Sequence, residues 1–232
     1  MTGQMIVNSR NLGEWYLIDR DGTTTETAAG PAGDILYRWG NPSTYGQGDR
    51  PSFLNNGAQE LFGPHCALPI LEGCPGYGNI LIFDNGWMRP ERGRSRVVEV
   101  DPTTVDSDTE IYWSWETNCY TSFYTEYQGA CQRLPNGNTF ITSTGEGHFI
   151  EVTPLGDIVW EYINPVFMGR VSTIFYDENQ GSGMGWNMVH RAHRYGPDHL
   201  GLVGRDLAPM GTFGYRAFLE NIEEAVRHLI GP

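Results

Sequence analysis

A chain of 232 residues can bury a full core, and its 30 glycines, 14 prolines and 12% aromatic residues suit many turns and many large plugs rather than helices. With 28 acidic against 15 basic residues the formal net charge is −13, and no basic run exists to neutralise phosphates; nucleic acid and anionic membrane surfaces are therefore excluded as partners. No stretch approaches a membrane span, and the N-terminus lacks a basic-then-apolar leader, so the visible start reads as a processed or truncated end.

The first predicted strands, over residues 4–10, 15–19 and 34–39, form a triplet separated by turn residues and closed by Ile35, Tyr37 and Trp39. Residues 41–63, rich in Gly, Pro, Asn and Ser, read as a long connecting loop. A second triplet spans 79–86, 96–102 and 110–115 and ends in Ile111, Trp113 and Trp115. The third occupies 138–142, 149–152 and 158–162, broken at Gly145, Gly147 and Gly156, and ends in Ile158, Trp160 and Tyr162. Each triplet thus closes on Ile-x-aromatic-x-aromatic. The aromatic set is read as packing between units rather than as a carbohydrate platform.

One more strand precedes each of the later triplets, at 65–71 and 128–134, and His190-Arg191-Ala192 opens what reads as a fourth unit. Ala67, Ala130 and Ala192 are the shared small residue, which makes His65, Gln128 and His190 equivalent. The same alignment equates Ser9-Arg10, Asp84-Asn85 and Ser143-Thr144 at the end of the following strand. Recurring units of this size are propeller blades, whose first strands line a central channel. The expected fold is all-β, a propeller-type repeat of about four blades or partial blades over residues 1–212, followed by a C-terminal helix over 213–232. That helix is read from Tyr215, Phe218, Leu219, Ile222, Val226 and Leu229 at helical spacing, opposite Glu220, Glu223 and Glu224. Residues 167–187 and 198–211 read as irregular excursions, and His148 as an exposed turn residue.

Four cysteines, Cys66, Cys74, Cys119 and Cys131, fit either two disulfides or buried free thiols, and no pair has zinc-site spacing. Asp84 and Asn85 offer hard oxygens for calcium, but no loop alternates Asp and Asn regularly, so no metal is expected.

The words of these strands resemble the bacterial arylsulfate sulfotransferase superfamily, and more closely its arylsulfotransferase-like branch. The resemblance rests on Asn8-Ser9-Arg10, Arg38-Trp39-Gly40-Asn41-Pro42, the His65-x-Ala67 step, Phe83-Asp84-Asn85-Gly86, Ser95-Arg96-Val97-Val98-Glu99, Leu134-Pro135-Asn136-Gly137-Asn138 and Glu151-Val152-Thr153-Pro154. It implies a six-bladed propeller in which a channel histidine takes a sulfuryl group from an aryl sulfate and passes it to a phenol, with no nucleotide cofactor. Carried over, it makes His65 the nucleophile and Arg10 the sulfate-binding arginine. Pro64-His65-Cys66-Ala67 departs from the family's Gln-His-Asp/Thr-Ala motif on both sides of the histidine. The family's upstream His-x-Asn motif, and about two N-terminal blades, have no counterpart here.

Sulfuryl transfer asks for a nucleophile that is also a good leaving group, cations on the sulfuryl oxygens, and an acid or base for the phenol. The expected catalytic set is His65, Arg10 and His190, with Ser9, Asp84, Asn85, Gln128, Arg191 and His193 around the substrate and no cofactor. Arg191 and His193 alternate with His190 and Ala192 along one strand, so the two histidines face opposite ways if that strand is regular. The expected partner is a small anion or phenol. Open blade edges predict self-association, and the family and even cysteine count point to an extracytoplasmic place. Two other readings stay open: a non-catalytic propeller scaffold, and a hydrolase or lyase using the same histidine.

Overall fold

A computed structural model describes residues 3–20, 24, 26–27, 33–90, 94–103, 111–117, 123–167, 170–171 and 187–208. The predicted tail helix and the 212/213 boundary lie outside them, as does most of the excursion from 167 to 187.

The alternating apolar runs fold as antiparallel meanders, each strand pairing with the next. The first sheet holds β1 (Met5–Ser9), β2 (Glu14–Ile18) and β3 (Ile35–Trp39). The second holds β4 (His65–Pro69), β5 (Ile80–Asp84), β6 (Arg96–Val100) and β7 (Ile111–Trp115). The third holds β8 (Ala130–Arg133), β9 (Thr139–Ser143), β10 (His148–Val152) and β11 (Ile158–Ile163). A two-stranded ribbon of β12 (Val166–Phe167) and β13 (Arg170–Val171) follows. The described protein is all-β and its sheets are blade-like, in the order that the repeats predict. The connecting loop contains a single 3-10 turn, Pro42–Tyr45, and returns to the core at Leu61 and Phe62.

Burial follows position within the sheet. Strands β5 and β9 are buried along their whole length, because neighbouring strands and a neighbouring sheet cover both faces. Strand β11, at the rim of the third sheet, is exposed throughout. Two slabs of the core lie between sheets, and a third cluster packs Leu134, Phe140 and Phe149 against Val189 and Ala192. One packs Trp15 and Trp39 of the first sheet on Ile80, Ile82, Val98 and Val100 of the second. The other packs Leu81, Phe83, Val97 and Trp115 of the second on Cys131, Ile141, Ile150 and Val152 of the third.

The second and third sheets each grip the segment that follows through the same polar contacts. Asn79 Nδ2 donates to Glu99 Oε1 at 2.6 Å, and Arg133 of the following sheet donates to Glu99 Oε2 at 2.6 Å. One unit later, Asn138 Nδ2 donates to Glu151 Oε1 at 2.7 Å and Arg194 pairs with Glu151. Trp113 and Trp115 of β7 donate their indole N–H groups to the carbonyls of Pro154 and Gly156, in the β10–β11 turn of the third sheet, at 2.9 and 3.0 Å. The terminal aromatic pair is thus an inter-sheet clamp.

The opening segment of the fourth unit is docked in the place its alignment predicts, but not as a strand. Thr144 Oγ1 donates to His190 O at 2.8 Å, as Asn85 Nδ2 donates to Gln128 O at 2.7 Å one sheet earlier. Ala192 N–H donates to Thr142 Oγ1, and the Gln132 amide bonds both the N–H and the carbonyl of Arg194. Side chains replace the backbone ladder there. His148 differs from its expected turn: it opens β10 opposite Ile163, is half-buried, and its Nε2 lies 3.3 Å from Glu161.

Candidate functional site

His65 and Gln128 stand where two adjacent sheets begin. His65 opens β4 opposite Phe83, and the ladder breaks between it and Leu68. The break is made by Cys66, which holds φ +56, a left-handed value uncommon in a residue with a β-carbon. Gly129 takes φ +102 at the matching place before β8, and Gln128 takes φ +61. This twist at the mouth of each sheet sends the Gln128 N–H toward His65 and its carbonyl toward Asn85.

The His65 ring is held at both nitrogens. Nδ1 lies 2.7 Å from Asn85 Oδ1, and Nε2 accepts the Gln128 N–H at 3.3 Å. Asn85 is fully buried, and its Nδ2 donates to Thr125 O at 2.8 Å and to Gln128 O at 2.7 Å. Two carbonyl acceptors fix the amide with nitrogen on their side and oxygen toward the histidine. Asn85 Oδ1 is then an acceptor, so His65 carries its proton on Nδ1 and its lone pair on Nε2. Burial holds the His65 pKa below the ordinary histidine value, against the Asn85 bond, and the charges of Arg10 and His190 push in the same direction as burial. Burial therefore favours the neutral imidazole.

Arg10 leaves the end of β1 and lies between two aromatic faces, its guanidinium carbon 4.5 Å from the Trp87 ring centroid and 5.4 Å from that of Tyr127. One Nη donates to Asn11 Oδ1 at 3.2 Å and the other reaches Glu126 O at 3.5 Å. Its Nε is buried without a partner. Beside it Asn8 donates to Pro64 O at 2.7 Å while its Oδ1, also buried, has no partner. A buried donor left open on a cation is a ready anion contact.

The remaining predicted residues divide. Asp84 is fully buried and spent on the scaffold: it accepts from Phe62 N–H at 2.8 Å and Arg96 Nε at 3.0 Å, and pairs with Arg89. Ser9 ends β1 opposite Glu14, its carbonyl accepting the Gly13 N–H at 3.1 Å. His190 is exposed and close enough for its charge to bear on His65, and Arg191 acts likewise on Cys66. His193 lies apart from these, lining a cavity of about 490 Å³ with Phe140, Glu151, Val159, Trp160 and Arg194. Among the described residues no three His, Cys, Asp or Glu side chains are grouped to hold a metal.

Sequence reasoning missed Trp87, Tyr127, Thr125 and Asn8. A signal existed for two of them: Trp87 follows the Phe83-Asp84-Asn85-Gly86 motif at once, and Asn8 precedes Ser9-Arg10.

The arylsulfotransferase (ASST) family matches residues 75–165, the stretch that carries Asn85 and Gln128 and the second and third sheets from before β5 to the end of β11. His65 and Arg10 lie outside the matched residues. Among solved structures, a protein of unknown function from Bacteroides caccae is similar over 68% of this chain at 10% identity, with a TM-score of 0.30; the chain spans 57% of that protein's length. No curated protein matches. Among the described residues no helix is long and apolar enough to cross a membrane.

Proposed function

Residues 75–165 are arylsulfotransferase-like, and from that premise we propose that the protein transfers a sulfuryl group from an aryl sulfate to a phenol through His65. The observation that carries this is the placement of the ring: its Nδ1 is held by Asn85 Oδ1 at 2.7 Å, which sets the tautomer and turns the Nε2 lone pair to a 3.3 Å contact from Gln128 N–H.

In the first half-reaction Nε2 attacks sulfur, the S–O bond to the aryl group breaks, and the phenolate leaves with the electron pair. In the second, the acceptor phenol loses its proton, its oxygen attacks sulfur, and the N–S pair returns to Nε2. Nδ1–H stays on Asn85 throughout, delocalising charge from the sulfated ring. Arg10 meets the sulfuryl oxygens through its open Nε, held in place by Trp87 and Tyr127. The Gln128 N–H, freed as Nε2 reacts, turns to the same group. His190 takes the acceptor's proton. The reaction belongs outside the cytoplasm, where the family is placed.

The test is turnover of a chromogenic aryl sulfate with a phenol acceptor by the parent, His65→Ala and Arg10→Ala, with a mass-spectrometric search for sulfuryl on His65. Activity in the parent, lost in both folded variants, supports the reading. An inactive parent leaves the propeller as a binding scaffold.

A further inference from the structure

Two thiols face each other across the seam between the second and third sheets. Cys66 of β4 and Cys131 of β8 are 65 residues apart in sequence, yet Cys66 Sγ lies 3.8 Å from Cys131 O and the two thiols share a hydrogen bond. Both are reduced and pack in the same apolar cluster. Cys66 also occupies the left-handed backbone position that Gly129 fills in the next sheet. A side chain there is strained, and strained residues persist where the surroundings hold them and cluster at functional sites.

The surroundings give the two sulfurs different chemistry. Hydrogen bonding from Cys131, with the charge of Arg191, brings the Cys66 thiol down to about 7 despite its burial. Full burial pushes the Cys131 thiol well above its ordinary value. One sulfur is a nucleophile at neutral pH, and the other waits beside it as a protonated partner.

We propose that Cys66 and Cys131 are a dithiol modification site, converted by a hydroperoxide into a disulfide that joins the two sheets next to His65. The Cys66 thiolate attacks the terminal peroxide oxygen, the O–O bond breaks, and the leaving oxygen departs protonated as water or alcohol. Cys66 is then a sulfenic acid. The Cys131 sulfur attacks it, the S–O bond breaks, and hydroxide leaves with the Cys131 proton as water. Two electrons pass from the thiols to the peroxide. The site stands whether or not His65 turns over a sulfate ester.

The test uses the reduced full chain and hydrogen peroxide. Two of its four thiols should disappear, and a non-reducing digest should yield a Cys66–Cys131 linked peptide. Before oxidation, iodoacetamide should label Cys66 first, about tenfold faster at pH 8 than at pH 6, as a thiol titrating near 7 requires. In Cys131→Ala the sulfenic acid should persist and be trapped by dimedone. Should that variant not fold, the parent's peptide map decides alone. A map showing Cys66 linked to Cys74, or Cys66 unlinked and overoxidised, overturns the proposal.

Discussion

Asn85 decides which nitrogen of His65 carries the lone pair. Its amide donates to two carbonyls of the 123–128 loop and accepts from the imidazole at 2.7 Å, so three bonds orient one ring. Asn85→Asp keeps the size but sets a carboxylate against two carbonyl oxygens and beside the imidazole. Turnover at pH 7 should fall about 100-fold, in the range attributed to one positioned proton-transfer group. The acid limb of kcat/KM should move to higher pH, because a carboxylate favours the imidazolium. Asn85→Ala should cost about 1–3 kcal/mol of stability by orphaning buried carbonyls. An unchanged pH profile in Asn85→Asp would mean that residue 85 does not act on the ring.

Acidification should weaken the fold through its histidines. Burial lowers the pKa of His65, and of His148 in spite of Glu161, below the ordinary value of 6.5. A lowered pKa means that the folded chain binds fewer protons than the unfolded chain between the two values. The stabilising contribution is therefore complete above about pH 6.5 and is lost as pH falls below it. Many carboxylates titrate lower down, so the readout is the difference between the parent and His65→Asn. The Tm gap between them should narrow from pH 8 to pH 5. A gap that widens on acidification contradicts the assigned direction.

The two repeated Asn–Glu–Arg contacts should differ in weight. Glu99 and Arg133 are both buried, with side chains 1% and 5% exposed, and Arg133 stacks on Trp113. Arg133→Ala leaves a charge without a partner inside the seam, a loss of about 3–5 kcal/mol. Arg194 is 52% exposed while Glu151 is 7% exposed and keeps its bond from Asn138, so Arg194→Ala should lose less, about 1–3 kcal/mol. Chemical denaturation compares them directly. Equal losses would mean that the last docked segment is held as firmly as the middle sheet.

The sheets were legible because strand chemistry repeats: β-branched runs, turn glycines and terminal aromatics recur at one spacing, and the Ala67, Ala130 and Ala192 steps align His65, Gln128 and His190. Legibility stopped where the partner is backbone. The carbonyls of Thr125 and Gln128 that orient Asn85 carry no side-chain signature, and no period fixes the loop that brings Tyr127 over Arg10. Cys66 faces Cys131 rather than Cys74 because adjacency between thiols is set by sheet stacking, not by distance along the chain. His148 reads as part of a glycine turn, yet pairing with Ser143 and Ile163 extends β10 to include it.

Gly129 ties the core to the site. A β-carbon there would lie 2.5 Å from two ring carbons of Phe83, and its φ of +102 is unfavourable for any other residue. Phe83 has no room to yield: it is fully buried and meets Phe123 edge-on at 5.7 Å. The Gly129 N–H also donates to Thr144 Oγ1 at 2.9 Å, so displacement would pull on the contact that docks His190. Gly73 is the control, with φ +86 and nothing within 4 Å of the place a methyl group would take. Both alanine variants bear backbone strain, and Gly129→Ala adds overpacking of about 1–3 kcal/mol. It should also shift the adjacent Gln128 N–H off His65 Nε2, lowering turnover where Gly73→Ala leaves it unchanged. Matching stabilities in the two variants would mean that the seam can open around Phe83, and the fixed placement of Gln128 over His65 would go with it.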